Sequence, residues 1–116
     1  MRFTRNIEKE VVLEIILFTA GIASISLFYE NNLLLTLLLA VMLFAGMKFW
    51  HKKRDFSYFI SGAVIGPAAE IICVYFGVWQ YSNPSFLGIP MWLPLIWGLG
   101  TILIKRIAET IEKTVA

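Results

Sequence analysis

Two carboxylates lie within stretches apolar enough to cross a membrane, and their type and position could support chemistry. Glu14 lies near the beginning of the first apolar stretch, and Glu70 lies deep inside the third. An ionisable side chain in hydrocarbon is costly and is a candidate functional group by default. No Lys or Arg lies at the predicted depth of Glu70, so we expect desolvation to favour its neutral form. A neutral acid here could act as a general acid or carry a proton.

Small residues lie on the same helical face as Glu70. Gly62 and Gly66 precede it at helical spacing, and such a face lets neighbouring helices approach closely. Glu70 is therefore predicted to face other helices or a cavity rather than lipid. Pro67 lacks an amide hydrogen and predicts a kink just before Glu70.

Aromatic and hydroxyl-bearing residues are predicted to surround Glu70, because they share its depth or lie at the outer ends of the third and fourth stretches. The predicted ligand-binding residues are Ser24, Trp79, Tyr81, Trp92, Trp97 and Thr101. The aromatic members could form a vestibule over Glu70 that accepts an apolar or amphipathic ligand. They could equally form only the aromatic belt found at headgroup level. Glu70 itself could be a structural hydrogen bonder between helices.

Glu14 lies only about three residues inside its stretch, or roughly 5 Å at about 1.5 Å per residue. At that depth a carboxylate can reach the interface or pair with a cation at the same level. We therefore predict a structural ion pair of Glu14 with Lys48 or Lys105. The chain has one His and one Cys, which is too few for a metal site of the usual kind. No cofactor is predicted, and His51 is expected in a solvated loop.

The composition excludes an ordinary soluble domain. Of 116 residues, 59% are hydrophobic and 16% are charged, and a chain this short has too little interior to hide that apolar surface from water. Four stretches are long enough to span a bilayer. The sequence predicts an all-α, four-transmembrane-helix integral membrane bundle that forms a single membrane domain over residues 1–116. Its predicted spans are residues 11–29, 33–50, 56–79 and 91–107, and residues 105–116 form an amphipathic C-terminal extension.

The charges indicate the orientation. All 10 Lys and Arg residues fall on one side of a four-span bundle, whereas the other side carries only Glu30. Because cytoplasmic loops carry the excess of Lys and Arg, both termini are predicted in the cytoplasm, in a multi-pass protein of the cell membrane. A net charge of +2 does not favour nucleic acid as a partner. The predicted partners are membrane lipids, with a second copy of the chain or another membrane protein as further candidates.

Residues 70–98 carry a recognisable pattern of acidic, aromatic, glycine and proline residues. In chain order, the matching residues are Glu70, Phe76, Gly77, Trp79, Tyr81, Gly88, Pro90, Pro94 and Trp97. This stretch resembles carotenoid-biosynthesis membrane proteins of the bacterioruberin hydratase type, and also related small uncharacterised membrane proteins. The resemblance implies a site formed by Glu70 and the aromatic loop that follows it.

Three functions are compatible with these features. The first is a small polytopic membrane protein that binds or acts on an apolar lipid or isoprenoid-like ligand at Glu70. The second is a small proton-coupled transporter in which Glu70 carries the proton. The third is an accessory or scaffold subunit of a membrane complex, docked through its glycine-rich faces. The sequence leaves open whether the protein is an enzyme.

Overall fold

The chain is all-α, as the sequence predicts. A computed structural model describes residues 5–50 and 53–115, and over these it contains four helices. They are α1 (Arg5–Phe28), α2 (Asn32–Trp50), α3 (Lys53–Tyr75) and α4 (Leu93–Val115). His51, which was expected in a solvated loop, lies outside the described residues.

Two of these helices are long and apolar enough to cross a membrane. The qualifying segments are Glu8–Phe28 in α1 and Arg54–Tyr75 in α3, and α2 is apolar over the shorter range Asn32–Lys48. Large apolar side chains are exposed on the helix surfaces, with Phe44 of α2 at 79% exposure. Helices that are apolar all round are typical of a lipid environment. The described chain therefore has the character of a membrane protein.

Helix α4 is the centre of the fold, because it packs against each of the other three helices. Near its middle, Leu99, Ile102 and Leu103 form a buried cluster with Leu17 of α1. A second buried cluster lies nearer the start of α4 and comprises Leu35, Leu39, Ile89, Trp92 and Leu93. These two clusters hold α1, α2 and the segment before α4 around one central helix.

Glycines bring α3 and α4 into close contact, as their spacing predicts. A methyl group added at Gly62 would overlap the Thr101 side chain, and one added at Gly66 would overlap the Trp97 indole ring. Gly98 of α4 makes the reciprocal approach, since a methyl group there would lie 2.9 Å from the Phe59 carbonyl oxygen. The side chain of Trp97 therefore lies directly on the glycine face of α3.

Helix α3 ends at Tyr75 rather than at Trp79, the end of the predicted span. Gly77 adopts a left-handed conformation with φ of 76°. The Val78 amide donates to the Cys73 carbonyl at 2.9 Å, and the Gly77 amide donates to the Val74 carbonyl at 3.0 Å. This is the Schellman pattern that closes helix C-termini, so the chain after Gly77 is a loop.

Helix α4 begins at Leu93 and is continuous to Val115, past the predicted end of the fourth span at residue 107. Before it, Pro90 begins a turn in which the Leu93 amide donates to the Pro90 carbonyl at 3.2 Å. At its other end, Lys113 pairs with Glu10 of α1 at 3.1 Å. We call the end of the molecule that contains the Lys113–Glu10 pair the charged end. The opposite end, with the α1–α2 turn and residues 76–92, is the loop end.

Candidate functional site

Glu70 lies on α3 near the loop end and is held by two aromatic residues. The Tyr81 hydroxyl donates to Oε1 of its carboxyl group, and Nε1 of Trp97 donates to Oε2. Tyr81 comes from the loop and Trp97 from the first turns of α4. The sequence-predicted site residues Glu70, Tyr81 and Trp97 are therefore brought together, and they join α3, the loop and α4.

Tyr81 is a half-buried hydrogen-bond donor. Burial, followed by the hydrogen bond and the negative charge of Glu70, raises the pKa of Tyr81 above its ordinary value. The phenol therefore keeps its proton at neutral pH and can continue to donate it. Its ring meets Trp92 edge-to-face, with ring centroids 6.3 Å apart, which is a favourable arrangement for aromatic pairs.

A pocket of about 220 Å³ lies at the loop end and is lined in part by Tyr81. Its walls combine apolar and aromatic side chains with two small polar residues of the loop. The lining residues are Ile25, Tyr29, Tyr81, Ser82, Asn83, Pro90 and Trp92. Tyr81 is therefore shared between the pocket and the hydrogen bond to Glu70.

Asn32, at the start of α2, fixes the pocket wall. Its amide nitrogen donates to the Asn83 carbonyl at 2.8 Å and to the Ser85 hydroxyl at 3.0 Å. Its carbonyl oxygen accepts a hydrogen bond from Nε1 of Trp92 at 3.2 Å. One side chain thus uses both donor and acceptor capacity to hold the loop and Trp92 against α2.

Among the described residues, the other predicted ligand-binding residues form no hydrogen bond with Glu70. Thr101 donates to the Trp97 carbonyl of its own helix at 2.7 Å, one turn further along α4. Within the described residues, neither Ser24 nor Trp79 makes a side-chain hydrogen bond. Trp79 is 44% exposed, because α3 ends before it and the chain turns away at Gly77.

At the charged end, Asp55 of α3 is completely buried between two cations of α4. Lys105 approaches its Oδ1 at 2.9 Å and Arg106 approaches its Oδ2 at 2.5 Å. Lys105 also pairs with Glu109 at 3.1 Å and lies 5.2 Å from the centre of the Tyr58 ring. This network joins the first turn of α3 to the second half of α4.

The predicted ion pair of Glu14 with Lys48 or Lys105 is not formed. Glu14 is buried and accepts a hydrogen bond from the Thr110 hydroxyl at 2.8 Å. Lys105 faces α3 instead and is held by Asp55, and the Lys48 side chain is exposed. The sequence prediction paired Glu14 with cations at the same predicted depth. Depth alone does not determine which face of α4 a side chain occupies.

Sequence reasoning missed both Asn32 and Asp55 because it assigned them to short connecting loops. The available signal for Asn32 was an Asn pair directly before an apolar run, which is typical of a helix N-terminus. The structure shows the corresponding cap, in which the Leu34 amide donates to the Asn31 side chain at 3.1 Å. For Asp55, the signal was an acidic residue at the start of a helix, together with two adjacent cations in the second half of another helix.

The arrangement at the loop end can accept and donate hydrogen bonds beside an apolar pocket. Glu70 offers carboxylate oxygens with lone pairs beyond those used by Tyr81 and Trp97. Ser82 and Asn83 add polar groups at the pocket wall. Within residues 5–50 and 53–115, no group of three or more His, Cys, Asp or Glu side chains could hold a metal ion.

The chain belongs to a family described as proteins of unknown function, DUF2878, whose model matches residues 11–110. It is also similar to the insulin-induced gene 1 protein of Gallus gallus, with 38% identity over 90 residues, covering 75% of this chain and 35% of that protein. The insulin-induced gene 2 protein of Gallus gallus is 37% identical over 90 residues, covering 75% of this chain and 39% of the relative. The insulin-induced gene 1 protein of Danio rerio is 31% identical over 88 residues, covering 75% and 35%.

The chain spans little more than a third of the length of these curated relatives. No solved structure matches it. The family match is compatible with the predicted resemblance to small uncharacterised membrane proteins. The resemblance to carotenoid-biosynthesis proteins of the bacterioruberin hydratase type is not shown by these matches and stays a prediction.

Proposed function

We propose that this member of the DUF2878 family is a four-span membrane protein that binds the end group of an apolar lipid or isoprenoid-like molecule at its loop end. The observation that carries the proposal is the shared position of Tyr81. Its hydroxyl bonds the Glu70 carboxyl group, and the same residue lines the pocket of about 220 Å³. A polar contact and an apolar cavity are thus joined at one residue.

The proposed placement in the membrane rests on the helices and the charges. Helices α1 and α3 contain segments long enough to span, and α2 is apolar over most of its length. Lys105, Arg106 and Lys113 share the charged end with the beginnings of α1 and α3. Because Lys and Arg mark the cytoplasmic side, the charged end and both termini face the cytoplasm. The loop end then lies at the outer side of the membrane.

The pocket is smaller than the about 300–1,000 Å³ typical of sites that enclose a whole ligand. It therefore takes an end group, and the remaining apolar part of the ligand lies along exposed helix surfaces in the membrane. Trp97 is 40% exposed and provides an aromatic surface beside Glu70. The predicted contacts of the ligand are Tyr81 and Trp92 at the pocket and Trp97 at its approach.

Binding is favoured over catalysis by the partners of Glu70. Its carboxyl oxygens face a phenol and an indole, and an indole N–H only donates. Neither Tyr81 nor Trp97 provides an activated nucleophile, which a reaction assisted by Glu70 as general acid would use. Within this proposal, Glu70 fixes the Tyr81 hydroxyl and presents its remaining lone pairs to a donor on the ligand.

The test compares two conservative tyrosine variants after purification under identical conditions. Tyr81→Phe removes the hydroxyl that joins Glu70 to the pocket wall. Tyr75→Phe is the matched control, because the Tyr75 side chain is 82% exposed and makes no hydrogen bond among the described residues. Lipid-soluble molecules are extracted from each protein and quantified by mass spectrometry.

We expect the wild-type protein and Tyr75→Phe to retain the same defined lipid. Tyr81→Phe should retain about fivefold less, because it loses the hydroxyl that holds the Glu70 carboxyl group at the pocket, and a typical hydrogen bond contributes about 1 kcal/mol net. A wild-type protein without any specific lipid would contradict the proposal. Equal retention by Tyr81→Phe and Tyr75→Phe would also contradict it.

A further inference from the structure

The loop between α3 and α4 has an apolar surface and no charge. From Ile71 to Ile104 the sequence contains no Asp, Glu, Lys, Arg or His. Within that range, several large apolar side chains outside the helices are more than a third exposed. They are Phe76, Val78, Trp79, Phe86, Leu87 and Met91. A concentration of exposed apolar side chains in one uncharged segment is typical of a contact with a membrane or another molecule.

The tip of the loop is a strained hairpin turn. The amides of Ser85 and Phe86 donate to the Ile89 carbonyl at 2.8 and 3.1 Å, and the Ile89 amide donates back to Phe86 at 2.9 Å. Leu87 and Gly88, the two residues between Phe86 and Ile89, have φ of 48° and 84°. Positive φ at both central positions defines a type I′ turn.

Leu87 is an unusual residue at this turn position. Type I′ turns favour Asn, Asp or Gly there, because a larger side chain is strained at positive φ. The leucine side chain is 71% exposed, so burial within the chain does not offset that strain. By contrast, Gly88 is required by packing, since a Cβ atom there would lie 2.6 Å from Val74 Cγ1. A strained, outward-pointing apolar side chain indicates a contact outside the chain.

Backbone groups on either side of the tip are bonded within the protein. Besides the hairpin bonds, the Met91 amide donates to the Ser85 hydroxyl at 3.0 Å, and the Asn83 carbonyl accepts from Asn32 at 2.8 Å. Non-helical backbone is tolerated at membrane depth only where its polar groups find partners in protein or water. These bonds reduce the cost of placing the turn in an apolar phase.

We infer that the hairpin tip formed by Phe86 and Leu87 inserts into the apolar part of the outer leaflet, so that bilayer lipid covers it. The inference rests on the membrane placement in the proposed function, but it does not require a bound ligand. Glu30 lies at the same end, since its carbonyl accepts from the Asn83 side chain at 2.5 Å. Its own side chain is exposed, and an acidic side chain is costly in hydrocarbon, so we take Glu30 as the aqueous reference position.

The experiment measures the depth of single fluorescent labels in phosphatidylcholine vesicles. Cys73 is first replaced by Ala. A single cysteine is then introduced by Leu87→Cys or, in a separate protein, by Phe86→Cys, and it is labelled with the environment-sensitive dye NBD. Glu30→Cys is the control for an aqueous position at the same end. Phe44→Cys, on the exposed apolar surface of α2, is the control for a position in hydrocarbon. Emission is recorded with and without doxyl-labelled lipids.

At positions 86 and 87, we expect blue-shifted emission that doxyl lipids quench, as at position 44, whereas the label at position 30 stays red-shifted and unquenched. Water-like emission at both tip positions, together with quenching at position 44, would overturn the hairpin insertion and leave the membrane placement intact. Water-like emission at position 44 as well would overturn both the hairpin insertion and the proposed membrane placement. Lipid extraction from the Tyr81→Phe protein tests the ligand separately.

Discussion

Gly66→Ala should disturb the contact that positions the candidate site. Gly66 of α3 lies directly under the Trp97 indole, and a methyl group there would overlap the ring. In the Gly66→Ala variant the indole must move away from this position, and its hydrogen bond to Glu70 is then lost. We therefore expect the indole to move and the α3–α4 contact to loosen.

The magnitude follows from two opposing effects. Overpacking a close contact costs about 1–3 kcal/mol, whereas replacing Gly by Ala inside a helix gains about 1 kcal/mol. Gly100 of α4 is the matched control, because a Cβ atom there meets nothing within 4 Å. The gain in helix propensity is common to both variants, so their free energies of unfolding should differ by about 1–3 kcal/mol. Gly100→Ala should be the more stable variant.

The assay is reversible unfolding in mixed micelles with increasing denaturing detergent, followed by circular dichroism and tryptophan fluorescence. The two variants and the wild-type protein are compared under identical conditions. Equal stability of Gly66→Ala and Gly100→Ala would refute the close approach of α3 to Trp97. It would also remove the stated reason for the position of Trp97 beside Glu70.

Two further substitutions test the two ends of the molecule by the same unfolding assay. Asn32→Ala removes the side-chain bonds to the loop and to Trp92, and should lower the free energy of unfolding by about 1–2 kcal/mol; an unchanged value, with unchanged Trp92 fluorescence, would contradict the role of Asn32. Asp55→Asn removes a buried negative charge from between two cations, and should cost about 3–5 kcal/mol. Its control, Glu10→Gln, removes the partner of the half-exposed Lys113 and should cost at most about 1 kcal/mol. Equal costs for these two acidic residues would contradict the buried network.

Local sequence signals predicted the helical content and the glycine contact, because both depend on short spacings. Gly62 and Gly66 lie one turn apart, and this spacing alone places them on one face of α3. The same reasoning predicted that Glu70 faces another helix, and the structure places Trp97 of α4 against its carboxyl group. Loop chemistry was harder to predict. Gly77 could be recognised as a small residue, but its left-handed conformation, which ends α3 at Tyr75, depends on the local fold.

Contacts between distant parts of the chain could not be derived from depth alone. Matching residues by depth placed Glu14 beside Lys105, whereas rotation about the axis of α4 directs Lys105 to Asp55 and Thr110 to Glu14. The role of Asn32 depends on a loop that is distant in sequence, and no local pattern encodes that pairing. Sequence therefore identified the chemical groups of the candidate site more reliably than their partners.

The most direct test of the account compares the lipids that copurify with the wild-type protein, Glu70→Gln and Glu30→Gln. Glutamine matches glutamate in size, and its amide can bond the Tyr81 hydroxyl oxygen while its carbonyl accepts from Trp97. The fold is therefore expected to persist while the carboxyl group is lost. We expect a defined lipid on the wild-type protein and on Glu30→Gln, and about tenfold less on Glu70→Gln. Equal lipid content in all three proteins would contradict a ligand-binding role for Glu70 and favour a structural one.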